Sequence, residues 1–198
     1  MTGFTSDPTL SDGSASRRTL HVDVRAVGSG FHVLRLWGVL PAGWCGHLTL
    51  GLARAAIGIE RGHARRTGGS WEAEFHLRPS DDGADPSSLD YAKLLGRRSA
   101  PTTEVPITLV DYRVQPLLGT LALEIEGEDC VGFLGSFLGR LAFLSLFPEE
   151  MKIETRGTRV HDSFRLRSMA GRAPSSEAPR ALDRMLWELA RRNRPAPE

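Results

Sequence analysis

Residues 19–27 (TLHVDVRAV) alternate apolar Leu20, Val22 and Val24 with polar His21, Asp23 and Arg25. Successive side chains of an extended chain point to opposite sides, so this period of two predicts a half-buried strand. Gly28-Ser29-Gly30 predicts a turn into a second strand over 31–39 (FHVLRLWGV), and the two segments read as a hairpin. Leu40-Pro41-Ala42-Gly43 breaks the extended pattern. From Trp44 onward Leu48, Leu52 and Ala55-Ala56 recur at helical spacing, and Gly58 is expected to end that helix. Strands over 59–67 and 70–77 follow around Gly68-Gly69, with Trp71, Ala73, Phe75 and Leu77 on one face of the second. Residues 79–86 read as a polar loop, and Ser87 or Ser88 is placed to cap a helix carrying Leu89, Leu94 and Leu95.

After a linker at 100–104 the same order returns. Strands are expected over 105–114 and 120–126, joined by a turn at 115–119, and then a helix from 131 to about 146 carrying Leu134, Phe137, Leu138 and Leu141. Strands over 151–155 and 158–166 flank Arg156-Gly157, and a helix from about 176 to 192 carries Leu182, Met185, Leu186 and Leu189 before Pro195-Ala196-Pro197. The two halves echo each other at a constant offset of 89 residues. It carries Gly43-Trp44 to Gly132-Phe133, Leu48 to Phe137, Leu52 to Leu141, Gly68 to Gly157, Phe75 to Phe164 and Leu77 to Leu166. An internal period of this kind defines the structural unit. Each unit reads β-β-α-β-β-α, and without its first strand it lacks only the last strand of a ferredoxin-like βαββαβ unit. The leading strand can fill that vacant place. The expected fold class is therefore α+β: two ferredoxin-like domains over 17–99 and 103–193, each a four-stranded antiparallel sheet with two helices on one face. A disordered tail is expected over 1–16. A competing frame exchanges the leading strands between units, giving 105–114 to the first and 19–27 to the second, but the short turn at 28–30 favours local pairing.

Composition narrows the function classes. The 198-residue chain is 40% hydrophobic and 25% charged, ordinary for a globular protein. Lys+Arg of 25 against Asp+Glu of 24 leaves no global field to attract nucleic acid or an acidic membrane. The strand that would stack bases in an RNA-recognition motif, 70–75 (SWEAEF), carries two acids instead. The longest apolar stretch, 133–147, is interrupted by Arg140 and too short to span a bilayer. The N-terminal residues have no apolar core of a secretory signal, and Cys45 and Cys130 are sparse and not equivalent in the repeat. A cytoplasmic protein without a disulfide framework or zinc site is expected. Cys45 and His47 would point in different directions from one helix, and no convergent acid, base and nucleophile is apparent. The expectation is a protein that is not an enzyme, with no cofactor and no metal.

The sharpest motifs lie in the second unit. Residues 128–134 (EDCVGFL) join a strand to a helix, and 153–164 (IETRGTRVHDSF) form a hairpin. The first resembles the D-R-x-G-L-L turn of the ACT domain, a small regulatory module that often binds amino acids. The second resembles the I-x-T-x-G-x-R-V-x-D-x-F hairpin of tandem ACT regions ending bacterial PII uridylyltransferases and of stand-alone ACT-repeat proteins. The resemblance covers nearly all of 119–190 and, more weakly, 31–96. Nothing like the nucleotidyltransferase or phosphohydrolase parts of those enzymes precedes the repeats, so their catalysis is not expected. The resemblance implies an amino-acid ligand held at a domain interface by Asp129, Gly132, Phe133 and Leu134, with Gly43 and Trp44 as the first-unit counterparts. It also implies a homodimer or a regulated partner protein.

The physics of the turn is compatible with that role. Unpaired N–H groups where a helix begins are partly positive and can hold a carboxylate, and a glycine permits close approach. Asp129 beside them can accept from a ligand ammonium. A glycine at such a junction equally serves conformation alone, and Asp129 equally suits a helix cap. The first unit departs from the motif: Leu40 stands where the second unit has Asp129, Ala73 where it has Asp162, and the bulk of Trp44 can fill a cleft. The function expected is a non-catalytic regulatory module of two ACT-like domains that senses a small molecule. The alternative is an interaction scaffold without a ligand, assembling through exposed sheet edges.

Overall fold

The period-two segments form eight strands and the period-3.6 segments four helices in the structure, a computed structural model that describes residues 19–81, 83–96 and 105–191. The expected tail at 1–16, the linker at 100–104 and the terminal Pro195-Ala196-Pro197 lie outside the described residues. The first half contains β1 (His21–Gly28), β2 (Phe31–Gly38), α1 (Trp44–Arg54), β3 (Ile57–Thr67), β4 (Ser70–Pro79) and α2 (Tyr91–Gly96). The second contains β5 (Leu109–Leu117), β6 (Thr120–Glu128), α3 (Phe133–Phe143), β7 (Leu146–Arg156), β8 (Arg159–Ser168) and α4 (Ala178–Arg191). Each leading strand pairs with its own neighbour, β1 with β2 and β5 with β6, so the hairpins are local.

The repeat extends to backbone conformation. α1 and α3 both start from a glycine in the left-handed region, Gly43 at φ 75 and Gly132 at φ 91, and neither helix has a side-chain cap. Asp129 therefore does not cap α3. Both helices end in a reversal through a second equivalent pair, Ala56 and Ser145, each at φ 55. That reversal moves two expected boundaries. Gly58 does not stop α1 but lies inside β3, and the expected helix to about 146 ends at Phe143, with β7 beginning at Leu146 rather than 151. The run Phe143-Leu144 through Leu146-Phe147 is apolar on either side of the switch, so its periodicity hides the change of element. α2 is also shorter than its pattern predicts, a short 3₁₀ turn at Pro86–Ser88 preceding it with Asp85, not Ser87 or Ser88, at the cap.

The expectation of two ferredoxin-like domains, each with its own four-stranded sheet, is corrected by the sheet itself. All eight strands form one antiparallel sheet in the order β1-β2-β4-β3-β7-β8-β6-β5. β3 and β7 join the halves through Arg61↔Glu154, Gly62↔Ile153, His63↔Lys152, Ala64↔Met151 and Arg65↔Glu150. In two separate sheets both strands would present unpaired N–H and C=O groups at an edge; pairing them satisfies both rows. His63 faces Lys152, its own counterpart 89 residues on, so a pseudo-two-fold axis passes through that pair. The helices also depart from two per domain on one sheet, since α2 packs against α1 while α4 lies on β5.

One face of the sheet carries the core. Leu34, Leu36, Phe75 and Leu77 from the first half and Leu123, Phe164 and Leu166 from the second are buried with Leu48, Leu52, Phe137, Leu141, Leu182 and Leu186 of the helices. They form one continuous cluster across both halves. α1 packs on α3, and Cys45 Sγ of the first half approaches Met151 Sδ of the second at 3.6 Å. The opposite face is charged and its ions are matched locally, as in Arg35–Glu74 at 2.8 Å and Arg159–Glu126 at 2.9 Å.

Candidate functional site

Where the seam between β3 and β7 meets the start of α3, a cleft of about 390 Å³ opens between the halves. One wall is the 129–135 loop and first turn of α3, with Thr155, Val160 and Asp162 of the hairpin beneath it. The facing wall is built by the first half, from Thr49 and Ala53 of α1, 57–60 of β3 and Arg78 and Pro79 of β4. Four of the residues singled out from sequence, Asp129, Gly132, Phe133 and Leu134, line this cleft together.

The loop is shaped by its backbone. The N–H of Asp129 donates to the Thr158 carbonyl at 2.9 Å, tying the loop to the hairpin turn, and the N–H of Phe133 donates to the Cys130 carbonyl at 3.0 Å. Gly132 is favoured as glycine because its φ of 91 disfavours any side chain, and a Cβ there would crowd Val105 Cγ2 at 3.1 Å. Phe133 and Leu134 are themselves buried, Phe133 stacking on Phe137 with ring centroids 6.1 Å apart. Asp129 stands at the rim, where partial desolvation and the charge of Glu60 push its carboxyl up, opposed by the backbone N–H of Cys130. Gly43 and Trp44 are not brought to the cleft. Trp44 is 3% exposed and packs edge-on against Trp71 at 5.2 Å, so it belongs to the core of the first half.

Asp162 is the least expected group. It lies on the inward face of β8 among Val160, Phe164 and Leu166 and is 3% exposed. Its Oδ1 accepts the Glu154 N–H at 3.2 Å, and its Oδ2 has no hydrogen-bond partner. Strand pairing gives way around it: the β7–β8 register passes from Lys152↔Ser163 to Thr155↔Val160, whereas the first half pairs straight through Ala64↔Ala73. Burial raises its carboxyl to about 7, with Asp129 adding to the rise and the Glu154 N–H opposing it.

The first-half wall was not anticipated. Arg78 Nη1 donates to Glu60 Oε1 at 3.0 Å, and Glu60 sits in the bulge between Ile59 and Arg61. The same pair recurs 89 residues on as Arg167 with Glu149, in the matching bulge of β7. That repetition was a readable signal, because a glutamate and an arginine both conserve their spacing across the offset. What it does not give is the location, since the wall faces the other half only once β3 and β7 pair. Three carboxylates, Glu60, Asp129 and Asp162, thus share the cleft with one guanidinium. In the same cleft α3 begins without a side-chain cap. Among the described residues no group of three or more His, Cys, Asp or Glu is arranged to hold a metal ion, and no helix is long and apolar enough to cross a membrane.

No family model and no curated protein matches this chain. Among solved structures, a crystal structure of an unknown protein from Galdieria sulphuraria is similar at 18% sequence identity, covering 80% of this chain and 91% of that one, with a TM-score of 0.27.

Proposed function

We propose that this protein is a non-catalytic regulatory module that binds a small zwitterion of the amino-acid class in the cleft between its halves. The observation that carries the reading is that the cleft brings groups of both signs together. An uncapped helix start, whose first N–H groups are partly positive, shares the cleft with carboxylates that outnumber the one guanidinium. A carboxylate suits the first feature and an ammonium the second. The volume accommodates one molecule of that size with its side chain. The exposed Cys130 thiol is pushed up by local desolvation and by neighbouring Asp129 and Glu128, which lowers its thiolate fraction and favours binding over chemistry.

Regulation follows from which parts form the walls. A ligand touching both halves favours the arrangement in which the walls fit it, and a partner reads that arrangement. The scaffold reading is weaker, because the edge strands β1 and β5 are each bulged, and β5 carries Pro116, features that blunt edge pairing.

The test is a thermal-shift screen against the twenty amino acids, repeated with Gly58→Phe. Gly58 lines the cleft without a left-handed φ, and its nearest foreign atom to an added Cβ is 3.6 Å away, so the strand tolerates a side chain there. Its counterpart in β7 is already Phe147. A rise in melting temperature with a subset of amino acids, abolished by Gly58→Phe in a folded protein, is the expected result. No shift with any of the twenty at tens of millimolar would end the proposal.

A further inference from the structure

We propose that Asp162 is the ammonium receptor of this cleft, and that it restricts the ligand to molecules carrying a protonated primary amine. The inference rests on the reading of the cleft as a small-molecule site and adds which group chooses the ligand. A carboxylate 97% removed from solvent and left with one oxygen unpartnered is costly in a finished core, where buried polar atoms are almost always hydrogen-bonded. Asp162 lines the cleft, however, although Oδ2 itself lies just beneath the cleft surface. Its Oδ1 is fixed by the Glu154 N–H, which orients the carboxyl and leaves Oδ2 as the free acceptor. A donor entering the cleft and displacing the side chains over Oδ2 would complete it. An ammonium supplies both the hydrogen bond and the charge, which a hydroxyl or an amide cannot.

The repeat strengthens the argument. The offset places Ala73 at the Asp162 position of the first half, and there the strands pair without interruption. In the second half the ladder gives up direct pairing around Asp162 and the Glu154 N–H is diverted to its side chain. A fold that works with alanine at this position does not need the acid for packing. Asp129 at the rim is exposed and already accepts the Cys130 N–H, whereas a buried acceptor left unpaired discriminates strongly.

The charged groups around Asp162 set the pH dependence. They are Asp129 from the loop before α3, Glu60 of β3, Arg78 of β4 and the buried thiol of Cys45 on α1, whose ionisation Asp162 itself opposes; Ile125, its neighbour on β6, carries no charge. Glu60 and Arg78 neutralise each other, so burial, with Asp129 adding to it, holds the Asp162 proton on. An incoming ammonium reverses that balance and binds the ionised carboxylate, so binding releases a proton in the range where Asp162 is protonated. Affinity should then rise about tenfold per pH unit from pH 5 to near 7 and level off above.

Three matched probe sets test this on the intact protein by thermal shift and calorimetry: amino acids, the corresponding 2-hydroxy acids, and the corresponding alkylamines without a carboxylate. Each set is applied to the wild type and to Asp162→Asn, which keeps the acceptor for the Glu154 N–H. The expected result is binding of amine-bearing probes only, weakened roughly 10- to 100-fold in Asp162→Asn, the loss expected when a charged partner is removed from a buried hydrogen bond. Alkylamines binding through Asp162 while amino acids do not would sustain the inference and retire the zwitterion. Amino acids binding wild type and Asp162→Asn alike, or 2-hydroxy acids binding as well as amino acids, would overturn the inference and leave the cleft's function standing. If no amine of either kind binds the wild type, both fall. Should Asp162→Asn fold poorly, the comparison of the three probe sets on wild type and its pH profile decide the matter without it.

Discussion

A single buried carboxyl sets the pH behaviour at the residue scale. Asp162 holds its proton to about pH 7 in the folded chain, while an unfolded chain releases it near 3.8. The folded state therefore binds one more proton between those values. The stabilisation that this proton supplies is complete below about pH 4 and is lost as pH rises through 7. Urea denaturation should show wild type losing on the order of 3 kcal/mol from this group between pH 4 and 8, a loss that Asp162→Asn does not suffer. Asp162→Asn should thus be the more stable protein at pH 8, and parallel pH profiles for the two would refute the assignment. The cysteines offer a simpler check. Cys45 is buried, its thiol pushed up by desolvation and the nearby Asp162, whereas Cys130 is exposed. A thiol reagent should modify Cys130 alone in the folded chain and both residues in denaturant. Prompt labelling of Cys45 under native conditions would show that the α1–β7 contact opens. Of these residues Asp129 was legible from its place in a motif and Asp162 from its asymmetry with Ala73. The burial that gives Asp162 its properties was not legible, because it depends on what lies across the sheet.

The repeat makes an internal control possible for single elements. Gly46 of α1 and Gly135 of α3 are equivalent, yet a Cβ on Gly46 meets nothing within 4 Å, while one on Gly135 stands 2.8 Å from Leu50 Cδ2 and 3.0 Å from Thr49 Oγ1. Gly46→Ala should stabilise by roughly 0.5–1 kcal/mol through helix propensity. Gly135→Ala has the same intrinsic gain but must displace the Leu50 side chain and the buried Thr49 hydroxyl of α1, and should cost about 1–3 kcal/mol net of it. Chemical denaturation of the two variants should give opposite signs, and equal effects would mean that α1 and α3 are not in close contact. Helical positions in both units could be read from spacing alone. The distinction between their glycines could not, because it arises where two helices far apart in sequence cross. The ends of α1 and α3 were hidden for a different reason: the reversals at Ala56 and Ser145 use residues with no preference for positive φ, held there by the structure around them.

Joined by the β3–β7 ladder and a shared core, the halves should unfold together when the whole molecule is considered. Phe137 is fully buried in the second half, and Phe137→Ala should cost about 3–5 kcal/mol. Trp44 and Trp71 lie in the core of the first half and, once Trp187 of α4 is replaced by Phe, report on it by fluorescence. Their transition should move to lower denaturant by the same amount as the circular-dichroism transition of the whole chain. A first-half signal that stays in place while the second half melts would show two independent units. The sequence by itself determined the duplication, the order of strands and helices in each unit, the inward faces and the loop where Asp129, Gly132, Phe133 and Leu134 gather, because each is a local consequence of spacing and side-chain type. It did not determine that β3 and β7 pair across the repeat, so two sheets were expected where one forms. Edge-to-edge pairing leaves no periodic trace, since its hydrogen bonds join backbone atoms that every residue carries. Tertiary structure alone decided the rest: that pairing set Glu60 and Arg78 of one half opposite Asp129 and Asp162 of the other, and made a cleft from two walls that are unremarkable apart.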